Sequence, residues 1–133
     1  MNELNRHANT SMVEEYLYQA LNGSVSDHTF AGTLPTAVGG DWDDMMLIDC
    51  DLPMTDYGPY SSATVYIFLY ARPNPDGTKN VPLLAEMEDK LCDVLDNLSD
   101  VHYSLNRVSN GADYDTSLQW HRNFVYFNLI IKS

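Results

Sequence analysis

The chain has 133 residues, enough for one domain that buries roughly two-thirds of the surface its unfolded form exposes. Nineteen acidic against seven basic residues give a formal net charge of −12, which argues against a phosphate-neutralising surface and so against a conventional nucleic-acid binder. No apolar run reaches the roughly 18 residues of a membrane span, the opening MNELNRHANTS has no apolar signal core, and Cys50 and Cys92, lacking CxxC or metal spacing, read as free thiols.

Residues 1 to 10 are polar and expected to be flexible. Ser11 then reads as the cap of a first helix, in a capping box with Glu14 three residues on. Met12, Val13, Tyr16, Leu17, Ala20 and Leu21 form a single helical stripe, and Gly23 after Asn22 supplies a left-handed stop. Residues 24 to 44 form a loop-rich excursion of glycine, proline and small polar residues, with a hint of a short strand at Thr29 to Thr33. A loop of this length in a compact domain is usually functional, or ordered by a partner.

Alternation returns from Met45 to Leu52, a strand with Asp49 and Asp51 outward, ended by Pro53 and followed by a turn at Asp56 to Pro59. The next strand, YSSATVYIFLYA from Tyr60 to Ala71, is apolar on both faces. Ala63, Val65, Ile67, Leu69 and Ala71 make an aliphatic row, and Tyr66, Phe68 and Tyr70 an aromatic one. Both rows need a cover, from this chain or from another. Pro73 to Gly77 is a turn, and a second helix spans about Val81 to Leu98, with Leu83, Leu84, Met87, Leu91, Val94, Leu95 and Leu98 as its core stripe and Glu86 spaced to pair with Lys90. Val101 to Val108 reads as a strand, Ser109 to Leu118 as a polar loop, and Trp120 to Lys132 as a final strand whose Phe124 and Tyr126 repeat the aromatic face. The fold class is therefore α+β: an antiparallel or mixed sheet of four to five strands, order α-β-β-(β)-α-β-β, with two helices mainly on one face.

Residues that could carry chemistry are scattered. His7, His28, His102 and His121 have no ligand spacing, and Asp41, Asp43, Asp44, Asp49 and Asp51 lack the register of a calcium loop. No phosphate loop, dinucleotide fingerprint or nucleophile elbow is present, and no catalytic residue, metal or cofactor is assigned. The aromatic set Tyr66, Phe68, Tyr70, Phe124 and Tyr126 could stack nucleobases, but without basic neighbours it reads better as a protein–protein interface. The first helix could instead cover this face, and that alternative stays open.

The leading helix, the strand YSSATVYIFLYAR before a polar turn, the helix Val81 to Leu98 and the closing strands VHYSLNRV and WHRNFVYFNLIIK together resemble the tail-terminator, or tail-completion, proteins of long-tailed bacteriophages. That resemblance implies a structural, non-enzymatic role: a ring, commonly a hexamer, that caps the tail tube and joins it to the head connector. Implied partners are further copies of the chain, the tail-tube protein and the head-connector protein, in the virion neck after assembly in a bacterial cytoplasm. It implies no catalytic residues. The competing expectation is a small cytoplasmic ligand-binding or enzymatic α+β domain with a pocket on the aromatic face.

Overall fold

A computed structural model describes residue 4, residues 7–50, 52–98 and 103–132. Two helices and six strands follow in the order α1 (Thr10–Leu21), β1 (Thr29–Ala31), β2 (Asp44–Asp49), β3 (Thr55–Asp56), β4 (Tyr60–Ala71), α2 (Val81–Leu98), β5 (Tyr103–Asp115) and β6 (Trp120–Lys132). The strands form one mixed sheet, ordered β1-β2-β4-β6-β5, with the two-residue β3 pairing beside the start of β4. The α+β class is as the sequence pattern predicts; the added pieces are β1, which the sequence only hints at, and β3.

Both helices lie on one face. The aliphatic row of β4 is fully buried there, with Val125, Phe127, Leu129 and Ile131 of β6 beside it. Val13, Leu17 and Leu21 of α1 and Leu84, Met87, Leu91 and Leu95 of α2 close this core from above. At about 1.5–3 kcal/mol for each large aliphatic side chain buried, this layer supplies most of the force for folding. The helix α1 therefore covers the aliphatic face and leaves the aromatic one to other parts of the chain.

Local details depart from expectation in three places. The cap of α1 is Asn9, whose Oδ1 accepts the N–H of Met12 at 2.8 Å, so the helix begins one residue before Ser11. Glu14 closes no capping box; its carboxylate accepts the backbone N–H of Cys50 at 3.1 Å and ties α1 to the end of β2. Within the polar opening stretch, Leu4 and Ala8 are buried, and Leu4 exchanges backbone hydrogen bonds with the Tyr103 hydroxyl at 2.8 and 3.3 Å.

The largest departure lies at the C-terminal hairpin. Strand β5 runs through to Asp115 and pairs with β6 along its whole length, so the loop predicted for residues 109 to 118 shrinks to a turn after Asp115. An extra residue near Val108 makes a bulge between Arg107 and Ser109. As an outer strand β5 is largely exposed on both faces, so it carries the polar residues that a loop would carry. His121 faces Tyr114 in the ladder, while His102 and Asp51 lie outside the described residues.

Pairing between β1 and β2 is parallel, Thr29 to Met46 through Ala31 to Ile48. Parallel neighbours cannot be joined by a tight turn, so the chain must travel back along the sheet before β2 begins. Residues 32–43 make that return, and they cross the aromatic face.

Candidate protein interface on the aromatic sheet face

Of the five residues marked out by sequence, four gather in the open and one is withdrawn. On β4 and β6, Tyr66 stands opposite Tyr126 and Phe68 opposite Phe124 in the antiparallel ladder. All four are partly buried. The Tyr66 and Tyr126 rings stack at 4.7 Å between centroids and 13°, and Tyr66 and Phe68 at 5.8 Å and 8°. Phe124 tilts by 57° against both Tyr66 and Phe68. Rings stacked on one another along a sheet spend part of their faces on each other.

Tyr70 is only 2% exposed. With Met45 and Trp120 it forms a second hydrophobic cluster, roofed by Leu34, Val38 and Trp42 from the returning segment and flanked by Phe30, Phe68 and Leu118. Burial holds the Tyr70 hydroxyl above its ordinary pKa, partly offset by a hydrogen bond donated from Arg122 at 3.0 Å. Glycine at position 39 makes the roof possible, because a Cβ there would fall 2.3 Å from Nε1 of Trp42. His28 stacks on the Trp42 ring at 4.1 Å and 17°.

The sequence pattern places Arg122 and Asn128 on this face but counts the aromatic set as without basic neighbours, and the structure corrects that. Arg122 shares the parity of Phe124 on β6, and its guanidinium lies 4.4 Å from the Phe68 ring centroid while donating to both carboxylate oxygens of Asp113 on β5. That bond holds Arg122 above its ordinary pKa; burial works against it, and the Tyr70 hydroxyl adds support. Arg122, the cation beside Phe68, is thus already matched by an anion, while Asp49 stands opposite Tyr66 in the β2–β4 ladder on the same face. Gly111 sits opposite Phe124, and a Cβ there would come within 2.6 Å of the ring's Cζ. Thr64 and Asn128 bond across the ladder at 3.4 Å and continue the face in neutral polar groups.

Among the described residues no three His, Cys, Asp or Glu side chains converge on a point that could hold a metal ion. Asp44 accepts the Ser26 hydroxyl, and Cys50 and Cys92 are both free thiols. Burial pushes the Cys92 thiol up, against the pull of Arg107. A cavity of about 150 Å³ between α2 and strands β5 and β6 is lined by Leu95, Leu105, Val125 and Phe127, on the helix face and away from the aromatic rings. No helix among the described residues is long and apolar enough to cross a membrane. Compared with known proteins, the chain matches no family model, and no curated protein is similar to it.

Proposed function

We propose that this chain is a structural assembly protein that associates with further copies of itself through the aromatic sheet face, as its resemblance to phage tail-terminator proteins implies. One observation carries the reading: both helices pack on one side of the sheet, and Tyr66, Phe68, Phe124 and Tyr126 stand partly exposed on the other. A contiguous aromatic patch is the composition of a protein interface core. In this reading the assembled form is a ring of about six copies, capping a tail tube and meeting a head connector. The charge of −12 suits a channel through which DNA passes without sticking.

Phe68→Glu tests the role of the face. Phe68 is partly exposed on the face away from the helices, so the fold can accommodate a carboxylate there, while a second copy would have to bury the added charge. The expected result is a folded monomer by circular dichroism and sedimentation velocity, where the unmodified chain forms rings visible in negative stain. An unmodified chain that stays monomeric at high concentration, or a variant that still assembles, would sink the reading.

A further inference from the structure

We propose that the outer edge of β5 is a second contact surface, at which the strand pairs antiparallel with β5 of another copy of the chain around Gly111. In the sheet order β1-β2-β4-β6-β5, β5 closes one side and, among the described residues, pairs with β6 alone. It is 13 residues long, whereas β1 on the opposite side has three, so β5 is the side of the sheet with a run of outward backbone donors and acceptors long enough to take on a strand. The contact is made by backbone at the rim of the sheet and is separate from the aromatic face.

Open edges are usually guarded, and β5 carries two guards: the bulge between Arg107 and Ser109, and the acids Asp113 and Asp115. For a copy of the same strand these features select a register. Opposed residues in an antiparallel ladder share a face, so a twofold pairing must centre on a residue and not between two. Centring on residue 113 or 114 sets Asp113 against itself or against Asp115, and centring on 110 or 112 leaves Tyr114 facing Asn106 or Asn110. Centring on Gly111 sets Asp113 against Ser109 and Asp115 against Arg107, and it brings Val108 opposite Tyr114. Those two are the exposed large apolar side chains of the strand, at 51% and 45%. Counting back from Asn110, which pairs with Val125, Val108 lies on the same side of the sheet as Tyr114, so the two side chains meet. On the other side the tip of Phe124 rests over the Gly111 backbone, where a Cβ would come 2.6 Å from Cζ. Pairing sets the two Gly111 residues on strands about 5 Å apart, which brings the two Phe124 rings together across the twofold axis. The same axis keeps both acidic α2 helices on one side, so the contact closes at high protein concentration and is favoured by salt.

Phe68→Glu takes the aromatic face out of play, so the edge is read in that background, in the full chain, by sedimentation velocity at concentrations well above those at which the unmodified chain forms rings. A dimer is expected there, with exchange of the outward amides of residues 109–115 slowed about tenfold or more as it forms. Val108→Glu and Tyr114→Lys are each expected to weaken the dimer about tenfold or more, since a twofold contact contains every change twice. Combined, they should restore association to within about threefold, because each new carboxylate then faces an ammonium of the other copy. Positions 108 and 114 of one chain lie about 20 Å apart along the strand, so no pair within a chain imitates that rescue. A Phe68→Glu chain that stays monomeric across the whole range overturns the proposal. So does a combined variant no better than its parents, or a dimer whose β5 amides exchange as in the monomer. If Phe68→Glu unfolds or still forms rings, the aromatic-face reading fails, and the same three variants decide the edge in the otherwise unmodified chain.

Discussion

Asp115 and Gln119 turn the chain from β5 into β6 with side-chain and backbone chemistry that a polar composition alone does not reveal. The Asp115 carboxylate accepts the N–H groups of Ser117 and Leu118 at 3.0 and 3.1 Å and the Ser117 hydroxyl at 2.7 Å, while its carbonyl accepts the Gln119 N–H at 2.7 Å. That arrangement holds Gln119 at φ 62°, a left-handed position rare for a residue with a side chain. Partial burial pushes the Asp115 carboxyl up, but the bonds from Ser117 and Leu118, with Arg122 nearby, leave it below its ordinary value. A folded-state pKa below the unfolded one means that the carboxylate's contribution is complete above the unfolded value, near 3.9, and is lost as pH falls through the folded value. Asp115→Ala should therefore destabilise the fold by about 1–2 kcal/mol at neutral pH, and the gap from the unmodified chain should narrow as pH falls below about 4. Urea denaturation at several pH values reads both; a gap independent of pH would assign the loss to packing. The same scale explains the shifted start of α1. In Asn9-Thr10-Ser11 two good caps compete, and Asn9 prevails while Glu14, which a capping box would use, is drawn to Cys50 across the fold.

At the scale of elements, what the sequence made legible was whatever buries a periodic face. The stripes of α1 and α2 and the alternating rows of β4 and β6 come out on the predicted sides, except for Met12, which belongs to the α1 stripe and yet is exposed, because burial imposes period 3.6 or 2 on apolar residues. The outer half of β5, residues 109–115, escaped that logic: outside the core these residues are held by pairing with β6, and backbone pairing leaves no mark on composition. Its glycine was a signal of a different kind. Gly111 in a strand interior marks a close approach, here the Phe124 ring standing over bare backbone. Gly111→Ala would gain about 0.5–1 kcal/mol from backbone entropy in a strand that were otherwise open. With Cζ of Phe124 2.6 Å from the new Cβ, the ring must leave its place in the row, and we expect a net loss of about 1–2 kcal/mol in chemical denaturation. A stabilised variant would mean that the ring is loosely held and that the row is not a built surface. The return of the chain through residues 32–43 was legible only as part of a long excursion. Its path over the aromatic face follows from the parallel pairing of β1 with β2, a relation between distant residues that local pattern does not carry.

For the whole molecule, the balance is between an apolar face that favours association and a charge that opposes it. Six copies at −12 each would bring together a large like charge, and repulsion between charges some tens of ångströms apart is cut down by salt, whose screening length is about 10 Å at 0.1 M and about 3 Å at 1 M. Arg122, the cation beside Phe68, is held by Asp113 within the same chain and so is not available for an ion pair across the contact. Raising salt should therefore weaken the repulsion without weakening the contact. Association through this face should strengthen as sodium chloride rises from 0.05 to 0.5 M, by about tenfold or more in the association constant as an order-of-magnitude expectation. Lowering pH toward the sequence pI near 4.3 should act in the same direction by reducing net charge, until carboxylates such as Asp115 begin to lose their place in the fold. Sedimentation velocity across that salt series distinguishes the physics of the contact. An assembly held by intersubunit ion pairs would loosen with salt, and that outcome would move the interface away from the aromatic face and onto the acidic rim around residues 41 to 44 and the few basic side chains that could meet it.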